Sequence, residues 1–427
     1  MTGPALPARP TVAVIGAGVS GLTAAYLLAR THDVTLFEAE DRLGGHAHTH
    51  DLVDSRGRSH AVDSGFIVHN DRTYPLLRRL FTELGVEARP TEMSMSIRCE
   101  ECGLEYAGGR GLRGILAQPR RLADPRFVRM LLQVRRFHRR ATAFLARTDD
   151  SDATTYGDFL RAEGFSEHFV SHYAVPVVSC VWSSGGDTAL LYPARYLFRF
   201  LDHHGMLRVT GSPQWFTVVG GSRTYVERIA SRLPAVRAGS PVTAVWRHGD
   251  FVEVEDASGA TARFDRVVVA THADQALSLL ADPTGDEVAV LKSFGYTPNE
   301  TVLHTDASLL PRATQAKASW NYLMDSCSTR GGAPVVTYWM NRLQGHESAE
   351  PHLVTLNARS RIAADSVLAV MDYAHPLYTA ESVAAQPRLA SLATDRTVFA
   401  GAYHGWGFHE DGCRSGVEAA RHFGVDW

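Results

Sequence analysis

The chain has 427 residues, of which 45% are hydrophobic and 21% charged, with a formal net charge of −3. That size and apolar fraction exclude wholesale disorder, collagen-like repeats and a disulfide-stapled mini-domain, and they suggest two or three structural units. The charge balance provides no global attraction to nucleic acid, so no nucleic-acid partner is expected.

Met1–Pro10 holds three prolines and no apolar run, so no secretory leader is expected. Val12–Ala29 carries no charge, but Gly16, Gly18 and Gly21 punctuate it. It therefore reads as strand, tight turn and helix, and not as a membrane span. Thr11–Ile15 reads as a buried strand, Ser20–Arg30 as a helix and Val34–Phe37 as a second strand: a βαβ unit, which implies a parallel sheet. A long middle stretch from about Thr73 to Gly211 is richer in aromatics and helical periodicity, with a hairpin expected over Met93–Gly109. Strand character returns at Gln214–Val219, Val242–Trp246, Phe251–Glu255 and Arg263–Ala270, with turns at Gly249-Asp250 and Ser258-Gly259. Phe294–Pro387 is mixed. Val398–Phe423 ends the chain with a strand, a glycine-rich loop in which Gly407–Gly412 precedes the last helix, and that helix.

Gly16-Ala-Gly18-Val19-Ser20-Gly21 is GxGxxG placed between strand and helix, the context that gives this motif meaning. Gly16 permits the turn, Gly18 lets main chain approach a pyrophosphate, and Gly21 lets helix and strand pack closely. The N–H groups of the helix start would hold the anion. Glu38 ends the second strand, where a carboxylate accepts from a ribose 2′-hydroxyl and repels a 2′-phosphate. The ligand should be FAD or NAD rather than NADP.

Five cysteines in so long a chain make no disulfide framework, and a reducing cytoplasm fits that usage. Cys99 and Cys102 form one CxxC with no second pair at zinc-site spacing, so the pair is read as incidental. His46, His48 and His50 alternate as ligands on one strand face could, but they directly follow a glycine pair, and no metal is expected.

Glu38-Ala39-Glu-Asp-Arg42-Leu-Gly44-Gly45 resembles the segment that marks FAD-binding flavoproteins of the amine-oxidase-like superfamily. The resemblance recurs at Gly220-Gly221, at Pro241-Val242, at Val267–Thr271, and at Phe399-Ala-Gly401-Ala402 with Gly407–Gly412. It implies a glutathione-reductase-type α/β Rossmann domain for FAD, discontinuous in sequence, with an inserted α+β substrate domain. The expected division is FAD-binding parts at 1–72, 214–290 and 396–427, and substrate parts at 73–213 and 291–395. The diphosphate would lie across both glycine segments beside His46, and the last helix would point its N-terminus at the flavin pyrimidine ring.

A narrower likeness rests on Asp63-Ser-Gly65-Phe66-Ile67-Val, Pro213-Gln-Trp215, Ser319–Tyr322 and Tyr338–Arg342. It is to a bacterial group of FAD proteins linked with cyclopropane-fatty-acid synthases, some of which desaturate phospholipid acyl chains. Two departures from amine oxidases agree with this. Lys292 and Lys317 are the only lysines, and the strand that presents a lysine near flavin N5 in that family reads Asn299–Leu303. Phe408 stands where the family's second cage tyrosine would be. Both suit an apolar substrate.

The resemblance thus implies an FAD-dependent oxidoreductase that dehydrogenates a lipid acyl chain by hydride transfer to N5. An amine or amino-acid oxidase is the rival reading, and a non-catalytic flavin-binding partner of a lipid methyltransferase is a third. Tyr403, Trp406 and Phe408 are the expected active-site aromatics, and His409 or Glu410 the candidate base. Finally, Arg110–Arg147 contains eleven arginines and one acid, Asp124. Phe127, Met130, Leu131, Val134, His138, Ala141, Phe144 and Leu145 recur there at helical spacing, while Arg126, Arg129, Arg136 and Arg140 fall off that stripe. Such a helix would suit peripheral docking on an anionic membrane surface, at the inner face of the membrane.

Overall fold

Five short runs of aliphatic and β-branched residues form the parallel sheet that seats the N-terminal motif. In the computed structural model, which describes residues 9–147, 152–208, 211–328 and 331–427, these strands are β1 (Thr11–Ile15), β2 (Asp33–Phe37), β3 (Ala235–Arg237), β4 (Arg266–Val269) and β5 (Thr397–Phe399). Their order is β3-β2-β1-β4-β5, all parallel. β1, central and nearly all buried, reads as an unbroken apolar run, as a strand covered on both faces must. The edge strand β3 has three residues, too few to show periodicity, and the sequence reading missed it.

Four helices matter for the site: α1 (Val19–Leu28), α2 (Pro75–Leu84), α3 (Pro125–Leu145) and α4 (His409–His422). α1 and α4 lie against each other at van der Waals distance. A Cβ on Gly412 would come 2.6 Å from Val19 Cγ1, and one on Gly416 would come 2.4 Å from the Ser20 carbonyl. The two helices therefore run side by side in the same direction, with their N-termini adjacent. The sequence had placed Gly412 ahead of the last helix. It sits inside α4, because the turn ends at Gly407 and the helix starts at His409.

The second layer is a seven-stranded mixed sheet in the order Val367–Leu377, Gly295–His304, Leu353–Leu356, Val335–Trp339, Trp320–Met324, Met95–Cys99 and Glu105–Gly108. The last two strands are the expected hairpin. Val242–Arg247 joins an antiparallel three-stranded meander while β4 joins the parallel sheet, so these two segments of the resemblance lie in different sheets.

Helices from residues 111–203 cover the mixed sheet. α3 buries Phe127, Met130, Gln133, Phe137, Ala141 and Phe144. Phe137, absent from the expected stripe, is its centre: the rings of Tyr156, Phe159, Phe165, Phe169, Tyr173 and Phe198 all lie within 6.3 Å of it. Among the described residues, no helix is long and apolar enough to cross a membrane.

Asp63 fastens three segments together. Its carboxylate accepts from Thr49 Oγ1 at 2.6 Å, from the Ser222 N–H at 2.9 Å and from Gln344 Nε2 at 2.9 Å. Replacing it with alanine strands several buried donors at once. We expect Asp63→Ala to lose about 2–4 kcal/mol of stability, measured by chemical denaturation, with Asp63→Asn losing less.

Candidate active site

The glycines of the first turn do what their spacing promised. Gly16 has φ +99, in the left-handed region, and a Cβ there would strike the Ala270 carbonyl oxygen at 2.7 Å. A Cβ on Gly21 would lie 1.8 Å from the Gly16 oxygen, so β1 and α1 approach as closely as main chain allows. Around Gly18 nothing lies within 4 Å of the same position, and a Cβ on Gly45 would lie 3.3 Å from Gly18 Cα. The two glycine segments thus form one cradle, closed by the bond from Gly44 N–H to the Ala17 carbonyl at 2.9 Å.

Val19 and Ser20 open α1, whose first N–H groups have no intrahelical acceptor and whose first turn has no acid. Glu38 is held at the rim by the N–H of Ala17 at 2.8 Å and of Glu40 at 3.0 Å. Ala39 lies between these contacts, and Val242 follows Ser240, whose N–H reaches the Glu38 carbonyl at 2.8 Å. Arg42 donates to the Gly45 carbonyl at 2.8 Å and pairs with Glu40 at 2.9 Å, so it braces the cradle.

From the cradle a continuous set of rings runs onward. A Cβ on Gly65 would lie 2.2 Å from the His46 carbonyl, and Phe66 N–H donates to the same oxygen at 2.7 Å. Phe66 stacks on His409, with ring centroids 3.7 Å apart. His46 lies 4.9 Å from Tyr373, 5.5 Å from His375 and 6.3 Å from His272. Asn299, on the strand expected to lack the family's lysine, donates to His375 Nδ1 at 3.0 Å. Burial holds these imidazoles neutral: His409 falls to about 3 and His375 to about 4, with His46 well below its ordinary value.

Thr271 stands between Gly16 and Gly401, near a Cβ position on each. Ala402 follows Gly401 in the short 3₁₀ turn that precedes α4. Ile67 faces elsewhere, into the core cluster of Val62, Leu303 and Met340.

Trp406 and Phe408 both approach the ring of Phe200, at 6.1 and 5.0 Å. Phe408 stacks on Phe200 at 5.0 Å and lies 6.4 Å from Trp182. Trp406 lies 6.2 Å from Tyr196, which is 5.0 Å from Tyr378. Tyr196 and Trp182 donate to the carbonyls of Gly405 and Trp406 at 2.8 and 3.0 Å, fixing the loop. Tyr403 does not join them. Its ring packs under Gly401 against Phe294, in the core of the parallel-sheet unit. Glu410 accepts from the N–H groups of Leu76 and Leu77 at 3.0 and 2.9 Å, anchoring the start of α2. Burial raises its carboxyl to about 7. Those bonds explain its position without a role as a base.

His48 and His50 pair with each other at 4.1 Å and bond the hydroxyls of Tyr373 and Ser64 at 3.0 and 2.9 Å, apart from His46.

The cradle fits FAD. Buried Nε2 atoms of His46 and His409, Nε1 of Trp406 and the hydroxyl of Tyr378 have no protein partner, and buried polar atoms of this kind require one. The Gly18–Gly45 cradle and α1 would hold the diphosphate, Glu38 the ribose, and the α4 N-terminus the electron-rich edge of the flavin.

The family model for flavin-containing amine oxidoreductases matches residues 19–345. A Mycobacterium tuberculosis protein described as a flavin-containing monoamine oxidase is 28% identical over 281 residues, 64% of this chain and 59% of that protein. A tryptophan 2-monooxygenase of Allorhizobium ampelinum is 61% identical over 44 residues, 10% of this chain and 6% of that enzyme. The chain therefore spans less than two thirds of these relatives.

Among solved structures, a CLA-producing fatty acid isomerase from P. acnes superimposes with a TM-score of 0.68 at 16% identity, over 99% of this chain and 100% of that one. A cyclohexylamine oxidase from Brevibacterium oxydans gives 0.65 at 16%, over 97% and 98%. At that identity the likeness is one of fold.

Proposed function

The chain belongs to the flavin-containing amine oxidoreductase family and is an FAD-dependent oxidoreductase, and from that premise we propose that its substrate is a lipid acyl chain, which it dehydrogenates. The observation that carries this is the wall beside the α4 N-terminus: Trp182, Tyr196, Phe200, Tyr378, Trp406 and Phe408. Trp182, Phe200 and Tyr378 are buried behind the half-buried Tyr196, Trp406 and Phe408, and an apolar cluster of this kind would bind methylene groups by exclusion of water. The carboxylate beside it, Asp411, is already taken up by the Phe408 N–H at 3.1 Å and the Arg414 guanidinium at 2.7 Å. A family fold that also houses a fatty acid isomerase agrees with an acyl substrate.

Bound FAD supplies two-electron oxidation. The chain's residues seat it at the cradle, hold neighbouring imidazoles neutral and keep water from the aromatic wall. Anaerobic mixing of the holoenzyme with phospholipid should bleach the flavin, and mass spectrometry should show product lipids two hydrogens lighter. Bleaching by amines alone would establish the amine-oxidase reading instead. Bleaching by neither, with FAD bound, would favour a non-catalytic partner.

Membrane docking through α3 belongs to the same proposal. Arg136 donates to the Glu163 carbonyl and packs over Phe165, and Arg140 pairs with the Glu163 carboxylate at 3.1 Å. Arg129, Arg135 and Arg139 are exposed and face solvent. Each basic group near an anionic surface contributes on the order of 1 kcal/mol, less as salt rises. Replacing these three by glutamine should weaken binding to vesicles of anionic phospholipid about tenfold or more, while Arg136→Gln and Arg140→Gln should do less. Equal effects from the two sets would count against docking through this face.

A further inference from the structure

Four side chains from three separate stretches of the sequence converge at a point outside the site described above. Cys99 ends a strand of the mixed sheet, Cys102 lies in the turn that follows, and Cys327 sits just after the neighbouring strand Trp320–Met324, which pairs Met324 with Cys99. His172 comes from the π-helical turn Val170–Ala174. The sulfurs of Cys99 and Cys327 are 3.8 Å apart, Cys102 Sγ is 3.7 Å from His172 Nε2, and all four atoms lie within 4.8 Å of one another. We propose that Cys99, Cys102, Cys327 and His172 form a structural zinc site. The CxxC pair, read from the sequence as incidental, is half of it; its partners lie 70 and 225 residues further on, beyond what spacing can show.

The geometry and the local chemistry agree. Tetrahedral zinc with bonds of about 2.3 Å to sulfur and about 2.0 Å to nitrogen separates its ligands by roughly 3.5–3.8 Å. Cys99 and Cys102 flank a turn closed by the bond from the Cys99 N–H to the Leu104 carbonyl at 2.9 Å, which brings the main-chain N–H groups of Cys102 and Leu104 near the two sulfurs. Gly103, at φ +66, makes the turn possible. Main-chain N–H groups beside sulfur are the setting in which a turn holds a metal-bound thiolate.

His172 Nδ1 faces the His168 carbonyl at 3.2 Å and the Ser171 hydroxyl at 2.8 Å. A carbonyl can only accept, so Nδ1 carries the proton and Nε2 keeps its lone pair toward the sulfurs. A ligand histidine is commonly oriented in this way. The exposed Arg126, which pairs with Asp124 at 3.4 Å, adds a weaker attraction toward Cys102 and Cys327.

Three sulfurs and one imidazole, with Cys99 and His172 at 1% and 0% exposure, describe a closed four-ligand site with no position for substrate. The site would pin the hairpin and the strand edge to the π-turn. That turn continues into Val175–Trp182, the helix that delivers Trp182 to the aromatic wall. Zinc here would brace the wall without touching it.

Full-length protein purified without chelator should contain about one zinc per chain by plasma mass spectrometry. Titrating the thiols of that wild-type protein with a mercurial should release the zinc, read with a metallochromic dye. Cobalt exchanged into the site should show intense thiolate-to-cobalt charge-transfer absorption. Cys327→Ser and His172→Ala should each lower bound zinc by at least half, and His172→Cys should restore it. Protein that carries no metal and gains no such absorption with cobalt would overturn the proposal. So would a Cys99–Cys327 disulfide mapped in freshly purified protein.

Discussion

Gly21→Ala is expected to abolish folding or to cost more than about 4 kcal/mol, while Gly18→Ala should leave the apoprotein as stable as the parent and remove most of its FAD affinity. The two positions belong to one motif, yet the structure separates their reasons. At Gly21 a methyl group would lie 1.8 Å from the main-chain oxygen of Gly16. Neither atom is the tip of a flexible side chain, so β1 and α1 would have to part. They carry the core that holds Val12, Val14, Leu22 and Ala25.

At Gly18 the same methyl meets no protein atom within 4 Å, and φ −70, ψ 179 is open to alanine. The space it would fill is the space beside Gly45, where the diphosphate is expected. Denaturant titration of the two apoproteins, followed by FAD titration monitored by flavin fluorescence, measures both halves. If Gly18→Ala bound FAD as tightly as the parent, the cradle would have been assigned to the wrong ligand.

What the sequence disclosed, it disclosed locally. The strand, turn and helix of the first 30 residues and the acid at Glu38 are set by neighbours a few positions apart, and the structure places them as read. The α4 boundary was misjudged because Gly412, which looks like a turn residue, is there with Gly416 for helix packing: both admit α1, a reason that lies in another part of the chain. Tyr403 and Phe408 are five residues apart in one loop, yet the irregular backbone at Gly405 and Gly407 sends one ring into the core and the other to the aromatic wall.

The partners of that wall, Tyr196, Phe200 and Tyr378, carry no pattern that distinguishes them from ordinary core. The same holds for Asn299 and His375. Phe137 fits the stripe on α3 by spacing alone; among so many arginines its central place emerges only from the rings around it. Glu410 looked like a base because it sits beside the expected flavin. The fold gives both its oxygens to the main chain of α2.

Acidification should destabilise the protein steeply, and the histidines are the reason. His69, His204 and His304 are buried, with burial lowering each to about 4. His375 behaves likewise at about 4, and His409 at about 3. Each is neutral in the fold and titrates near 6.5 in the unfolded chain, so between about pH 6.5 and 4 the unfolded state binds more protons. Stability contributed by these groups is present above pH 6.5 and lost as pH falls.

At pH 5.5 each such imidazole costs about 1.4 kcal/mol, and five of them reach the scale of a whole domain's stability. Asp63 and Glu410 act in the opposite sense. Their folded carboxyls are raised by burial to about 6 and about 7, so they favour the fold below about pH 4 and lose that contribution as pH rises through 6 to 7. Two carboxyls do not offset five imidazoles. The melting temperature, followed by circular dichroism, should therefore drop by about 10 °C or more between pH 7.5 and 5.5. Saturating FAD should raise both values without removing the slope, since ligand linkage adds to stability and leaves His69, His204 and His304 uncharged. A melting temperature that holds or rises on acidification would show that the carboxyls dominate, and that these histidines are hydrated in solution.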